Sequence, residues 1–384
     1  MDFDLSWLLL AFPLVFGLGW LASRLDLRQW RIENRRDPKA YFKGLNFLLN
    51  EQQDQAIDAF IEAVQNDPDT SELHFALGNL FRRRGEYERA VRVHEHLLSR
   101  ADLSQTDRDR AQHALALDFL KAGLLDRAEA ALRKLEGTAL QTQARLAMLA
   151  IFERSRDWPH AAQVAAQLET SGHGSFAGRQ AHYLCEQAAA LLAGGQSEGA
   201  RALLEQAVTA APESARPYID LARLLQRLGD NSAAFASLTT LCAKAPHAIP
   251  LMAVELAQLA LATQRQAQAQ RLLDDAYQQA GSLDVLDALV LLQPAGEAAA
   301  TAQDWYVRHL EREPSLVAAS KWLAREKLEH EQFHPQVQRA LDHAVKPLTR
   351  YRCAACGFEA QQHFWQCPGC QAWDSYPARR IEEL

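Results

Sequence analysis

A repeat with a period of about 34 residues governs how this 384-residue chain can fold. Gly44, Phe47 and Ala56 recur as Gly78, Phe81 and Ala90. Ala188, Leu191, Gly195, Ala200, Leu204 and Pro212 recur as Ala222, Leu225, Gly229, Ala234, Leu238 and Pro246. A small residue at a fixed place in each of two apolar segments lets two antiparallel helices approach closely, and large residues on adjacent turns fill the space to the next unit. Glycines such as Gly85, Gly123, Gly195 and Gly229 suit the turn between the two helices, and a proline closes the second. Ala, Leu, Gln, Arg and Glu dominate and β-branched residues are sparse, as a helical body requires.

These positions resemble the tetratricopeptide repeat. The reading gives an all-α fold, a tetratricopeptide-repeat superhelix over residues 40–345 with eight or nine repeats. The pattern loosens through Leu115, Ala116, Phe119 and Gly123 and through Leu149, Phe152, Trp158 and Ala161. It decays after Pro250 to Ala257, Ala269, Ala276, Ala302, Tyr306 and Pro314. A short insertion is expected around Ser104–Asp107, and Gly172–Gly178 reads as a loop interrupting the array. Stacked repeats offer a long face for a peptide, a helix or a protein tail.

The N-terminus adds an anchor. Leu5–Ser23 carries no charge and is nearly long enough, as a helix, to cross a bilayer core of about 30 Å. Trp7 and Trp20 lie near its ends, and Asp2 and Asp4 replace the basic flank of a cleaved signal. Residues 1–23 are therefore expected to be a transmembrane anchor and 24–39 a basic juxtamembrane helix. Arg24, Arg28, Arg31, Arg35, Arg36, Lys39 and Lys43 on the distal side predict that the bulk of the chain is cytoplasmic.

Near the other end, YRCAACGFEAQQHFWQCPGCQAWDSYPARR has the spacing C-x2-C-x10-C-x2-C. Each C-x-x-C presents two thiolates to one side, and two facing pairs complete a tetrahedron. Cys353, Cys356, Cys367 and Cys370 are the expected metal ligands, and residues 350–377 the ribbon they hold. One ion is expected, iron or zinc, since both accept four sulfurs. Tyr351, Phe358, Phe364, Trp365 and Trp373 are its candidate core, and His363 reads as a packing or surface residue. Four thiolates leave no open position for Lewis-acid catalysis. Cys185 and Cys242 sit alone within helical patterns and read as small buried core residues.

The C-A-A-C-G and C-P-G-C knuckles resemble a rubredoxin. Two departures matter: the gap between the knuckles is short, and Gln371 stands where a glycine is expected. The alternative of a redox protein with an iron tetrathiolate stays open on this reading. The net charge of −7 opposes a general nucleic-acid binder. Arg350, Arg352, Arg379 and Arg380 are its only local support, against Asp374, Glu382 and Glu383. The sequence carries no phosphate loop, nucleophile elbow or paired-histidine protease motif, so an enzyme is not expected.

The order of span, basic segment, repeats and ribbon, with DPKAYFKGLNFLLNEQQDQAIDAFIEAVQNDPDTSELHFALGNLFRRRGEYERAV opening the repeats, resembles the lipopolysaccharide assembly protein B family of Gram-negative bacteria. That resemblance implies an inner-membrane adaptor facing the cytoplasm. It would restrain lipopolysaccharide synthesis by presenting the committed-step lipid A deacetylase to the membrane protease FtsH, and connect synthesis with transport. Implied partners are these proteins and lipopolysaccharide transport or regulatory membrane proteins; whether the chain also forms a homo-oligomer is left open by the sequence.

Overall fold

The computed structural model describes residues 13, 15–20, 39–50, 52–66, 70–293, 298–326 and 331–384. Nine helical hairpins follow one another among them. They are α1 (Lys39–Leu49) with α2 (Gln53–Asn66), α3 (Ser71–Arg84) with α4 (Tyr87–Ser99), and α5 (Gln105–Lys121) with α6 (Leu125–Arg133). Next come α7 (Gln141–Ser155) with α8 (Trp158–Thr170), α9 (Ala177–Ala193) with α10 (Ser197–Ala210), and α11 (Ala215–Arg227) with α12 (Asn231–Lys244). The last are α13 (Ala253–Ala262) with α14 (Gln266–Ala280), α15 (Leu283–Leu291) with α16 (Ala298–Arg312), and α17 (Leu316–Leu323) with α18 (His334–Val345). The chain divides into two compact units, Met1–Ile151 and Phe152–Leu384.

The turn inside a hairpin is closed the same way seven times. An amide bonds back to the carbonyl five residues earlier: Gln52 to Phe47, Glu86 to Phe81, Leu124 to Phe119, Asp157 to Phe152, Gln196 to Leu191, Asp230 to Leu225 and Arg265 to Ala260, at 2.8–2.9 Å. This is the capping bond of a helix that ends on a left-handed residue. Gly85, Gly123, Gly195 and Gly229 supply the positive φ as expected, and Arg156 and Gln264 adopt it at two turns that lack glycine. The hairpin therefore persists where its sequence signature fades.

Small residues sit where the helices cross. Ala56, Ala90, Ala128, Ala161, Ala200 and Ala234 are all fully buried. A Cβ on Gly44 would lie 2.8 Å from the Phe60 ring, and one on Gly78 would lie 2.5 Å from Nε2 of His94. Real Cβ atoms do not come so near, so each crossing demands glycine.

The core of the first unit includes Ala56, Phe60, Leu73, Leu77, Phe81 and Ala90. Beside it lies a buried polar network. Asp118 receives Nη1 of Arg82 at 2.9 Å and Nδ1 of His94 at 2.5 Å. Arg82 also bonds the Ala114 carbonyl and Oδ1 of Asn79. Asp118 and His94 are fully buried. In the second unit one continuous core runs from Ala215 to Ala318. Cys185 and Cys242 are buried in this unit as expected, and burial pushes both thiols up, Cys242 to about 11.

Two sequence expectations change. Residues 171–176 connect α8 and α9, and Ala177 and Gly178 already belong to the α9 helix, so the loop is shorter than expected. Ser104 caps α5 by accepting the Asp107 amide, so the inserted residues are taken up in the start of a 17-residue helix. The expected span and basic segment fall largely outside the described residues. Residues 15–20 are helical and exposed, and among the described residues no helix is long and apolar enough to cross a membrane.

Candidate metal centre

Two short loops of matching geometry build the ribbon. In the first, β1 (Tyr351–Arg352) pairs antiparallel with β2 (Glu359–Ala360), with Arg352 opposite Glu359. In the second, Gln366 bridges Trp373 in the same register. The amide of Cys353 bonds the Phe358 carbonyl and that of Cys367 the Ala372 carbonyl, both at 2.9 Å. Each knuckle closes with an amide returning to its first cysteine: Gly357 to Cys353 at 2.9 Å and Gln371 to Cys367 at 2.8 Å. Gly357 has φ +78 and Gln371 φ +61. The departure from glycine at 371 is thus accommodated by strain, since a side chain in this region costs about 1–2 kcal/mol. Gln371→Gly should stabilise the ribbon by about 0.5–1 kcal/mol, part of the relief being offset by glycine's greater freedom when unfolded. Greater resistance to chelator-driven unfolding would report the gain; a less resistant variant would deny the strain.

The loops bring all four cysteines together. Their sulfurs lie within 4.8 Å of one another. Across the loops Cys353 Sγ is 3.8 Å from Cys370 Sγ, and Cys356 Sγ is 3.7 Å from Cys367 Sγ. Metal–sulfur bonds of about 2.3 Å in a tetrahedron give sulfur–sulfur edges of about 3.8 Å, so this donor set fits a single four-coordinate ion. Cys353 and Cys367 are buried, and Cys356 and Cys370 are exposed.

The electrostatics fit as well. Burial works against ionisation of Cys353, but the Ser375 hydroxyl, 3.3 Å away, and the amides of Cys356 and Ala355 outweigh it and hold the thiol down at about 6. The amides of Cys370 and Gly369 likewise overcome burial and lower Cys367. At Cys356 the Phe358 amide favours the thiolate, but slight desolvation and the three neighbouring sulfurs drive the thiol up to about 12. Four crowded sulfurs resist becoming anions together unless a cation sits among them.

Around the sulfurs, Tyr351 and Tyr376 are buried and Phe364 packs beside them. Tyr376 was not among the expected core residues, and Phe358, which was, lies 43% exposed. His363 is no ligand: its Nε2 lies 3.0 Å from the Tyr376 carbonyl, and its ring packs against Tyr351 and Trp365. Burial lowers its basicity.

Trp365 and Trp373 turn outward to the helices of the same unit. Trp373 stacks on His182 with centroids 4.7 Å apart and presents its edge to Trp158 and Tyr183. Its Nε1 donates to Glu153 at 3.0 Å. Nε2 of fully buried His182 lies 2.9 Å from both carboxylate oxygens of Asp374. Arg350 and Arg352 face Glu359, and Arg380 forms a two-point pair with Asp284 at 2.8 and 3.0 Å while lying 4.0 Å over the Tyr351 ring. Arg380 is thus held against the helices, while Arg350 and Arg352 remain at the surface, where Glu359 offsets part of their charge. Sequence reasoning missed the helix-side partners and the tail after residue 377. Its one available signal was a run of charged residues following the ribbon, which by itself reads as a solvated end.

Residues 351–376 match the rubredoxin metal binding domain family, and residues 191–247 match the tetratricopeptide repeat family. The fold is accordingly a mostly helical tetratricopeptide-repeat array with a small C-terminal cysteine ribbon. A solved tetratricopeptide repeat protein from Parabacteroides merdae overlays with a TM-score of 0.34 at 16% identity, over 66% of this chain and 97% of that one. That likeness is too loose to argue from. Lipopolysaccharide assembly protein B of Haemophilus influenzae is 26% identical over 387 residues, 96% of each chain. Lipopolysaccharide assembly protein B of Escherichia coli strain K12 is 30% identical over 388 residues, covering 99% of this chain and all of that one. With such identity along its whole length, the chain belongs to the lipopolysaccharide assembly protein B family.

Proposed function

We propose that this protein is a non-catalytic adaptor of the inner membrane that limits lipopolysaccharide synthesis by bringing the committed-step lipid A deacetylase to FtsH, and that links synthesis to transport. The observation that carries the reading is full-length membership of the family, on a body of stacked helical hairpins of the kind that binds protein segments. In this reading Leu5–Ser23 spans the membrane once, and the basic residues of 24–39 keep the repeats and the ribbon in the cytoplasm.

Cys353, Cys356, Cys367 and Cys370 hold one iron or zinc ion in this reading, and the ion serves as a structural staple. The geometry supports that role, because Trp373 and Asp374, which flank the second knuckle, are the residues that dock on Glu153 and His182. An adaptor needs no chemistry of its own. Holding client and protease on one anchored scaffold raises their mutual concentration to about the millimolar range.

Deleting Leu5–Ser23 tests the reading. The truncated protein should leave the membrane fraction, and the deacetylase should accumulate several-fold in cells that carry only this form. In-cell crosslinking should lose the protease and keep the client. A truncated protein that restrains the deacetylase as well as the full chain does would refute the anchored-adaptor reading.

A further inference from the structure

The residues that follow the ribbon run back over the final hairpins, and two adjacent glutamates enter two different helix starts. Glu383 accepts the Leu283 amide at 2.6 Å and the Ser282 hydroxyl at 3.2 Å, at the N-terminus of α15. Glu382 accepts the amides of Leu316 at 2.6 Å and Val317 at 3.1 Å and the Ser315 hydroxyl at 2.8 Å, at the N-terminus of α17. These helix starts belong to successive hairpins. Each presents a Ser-Leu pair, and each takes one carboxylate.

The first amides of a helix have no partner within it. Ser282 makes no side-chain cap on α15, so Glu383 supplies what the local sequence does not. Ser315 caps only the Ala318 amide, and Glu382 takes the two before it. A carboxylate at a helix start also meets the positive end of the helix dipole. Both serines are buried, so water is a poor substitute there.

The tail is aimed by the ribbon. Tyr376, buried against the sulfur cluster, lies six residues before Glu382. The amides of Ile381 and Glu382 bond the carbonyls of Arg350 and Leu348, on the segment entering the ribbon. Arg380 ties the same turn to Asp284 and the Thr349 carbonyl. Unfolding the ribbon would turn this short rigid connection into a long flexible one, and the local concentration of the two glutamates at the helix starts would fall.

We propose that residues 380–383 are a clasp that transmits the metal state of the ribbon to the first turns of α15 and α17. The inference rests on the metal-ribbon reading above. With the ion bound, both helix starts are capped from a distance; without it, they fray.

Hydrogen exchange on the full-length protein in detergent tests this, comparing a zinc-loaded sample with one stripped by chelator. Stripping should speed exchange about tenfold or more at the amides of Leu283, Leu316 and Val317, and leave α3 to α5 unchanged. A Glu382→Ala, Glu383→Ala variant should bind one zinc per chain and exchange fast at those amides whether loaded or stripped. Glu382→Gln, a milder change, should loosen α17 and spare α15. Protection that survives stripping would overturn the proposal. So would a metal-dependent difference persisting in the double variant, or an even loss of protection through α9 to α14, which would mean that the ribbon acts through its whole face. Zinc content is measured separately: a chain that binds none refutes the metal reading and this inference with it, whereas normal binding without the exchange change refutes the clasp alone.

Discussion

Replacing Cys353 with serine should abolish metal binding and unfold the ribbon. Cys353 is 1% exposed, so a serine there buries a neutral hydroxyl beside three sulfurs that no longer have a fourth to close the tetrahedron. A ribbon with two two-residue strands has little else to fold around. Structural zinc sites of this kind contribute on the order of 10 kcal/mol, far more than a core of Tyr351, Tyr376 and part of Phe364 can replace. The Trp373 bond to Glu153 and the Asp374 pairing with His182 should go with it. Metal analysis should fall from one equivalent to none, and limited proteolysis should cut within residues 350–384. A serine variant that keeps a full equivalent and resists cleavage would show that the four sulfurs are not the ligands.

Asp118→Ala should destabilise the first unit by about 3–5 kcal/mol, the cost of leaving the Arg82 guanidinium and the buried His94 ring without their shared acceptor. The carboxylate is fully buried and is the shared acceptor for Arg82 and His94. His94 has little room to rearrange: Nε2 has no hydrogen-bond partner, and a Cβ on Gly78 would stand 2.5 Å from it. Urea unfolding followed by circular dichroism should move the earlier part of the transition to lower denaturant. A loss under about 1 kcal/mol would mean that water or a rearranged Arg82 replaces the carboxylate easily, and that helix packing alone holds α3, α4 and α5 in place.

Much of the second unit's architecture was readable beforehand. Ala200 and Ala234, Gly195 and Gly229, and Pro212 and Pro246 each do one local job, and a job repeated once per hairpin leaves a visible period. The thiol cluster was readable too, because two C-x-x-C knuckles place four thiols with no help from the rest of the fold. The reading weakened where a residue without the usual propensity took the same conformation. Arg156 and Gln264 at hairpin turns, and Gln371 at the second knuckle, adopt a positive φ that their side chains do not advertise. It also erred where exposure depends on a neighbour, placing Phe358 in the core and leaving Tyr376 out.

Local chemistry, then, set the helices, their turns and the thiol cluster, since each of these interactions closes within a few dozen residues of its own chain. Tertiary structure alone decided what the ribbon and tail hold. Glu383 reaches Leu283 across 100 residues, Asp374 reaches His182 across 192, and Trp373 reaches Glu153 across 220. Such pairings occur once, between side chains of ordinary type, and impose no spacing or composition. They follow from the packing of the second unit, which positions residues 380–383 over two buried helix starts that need acceptors.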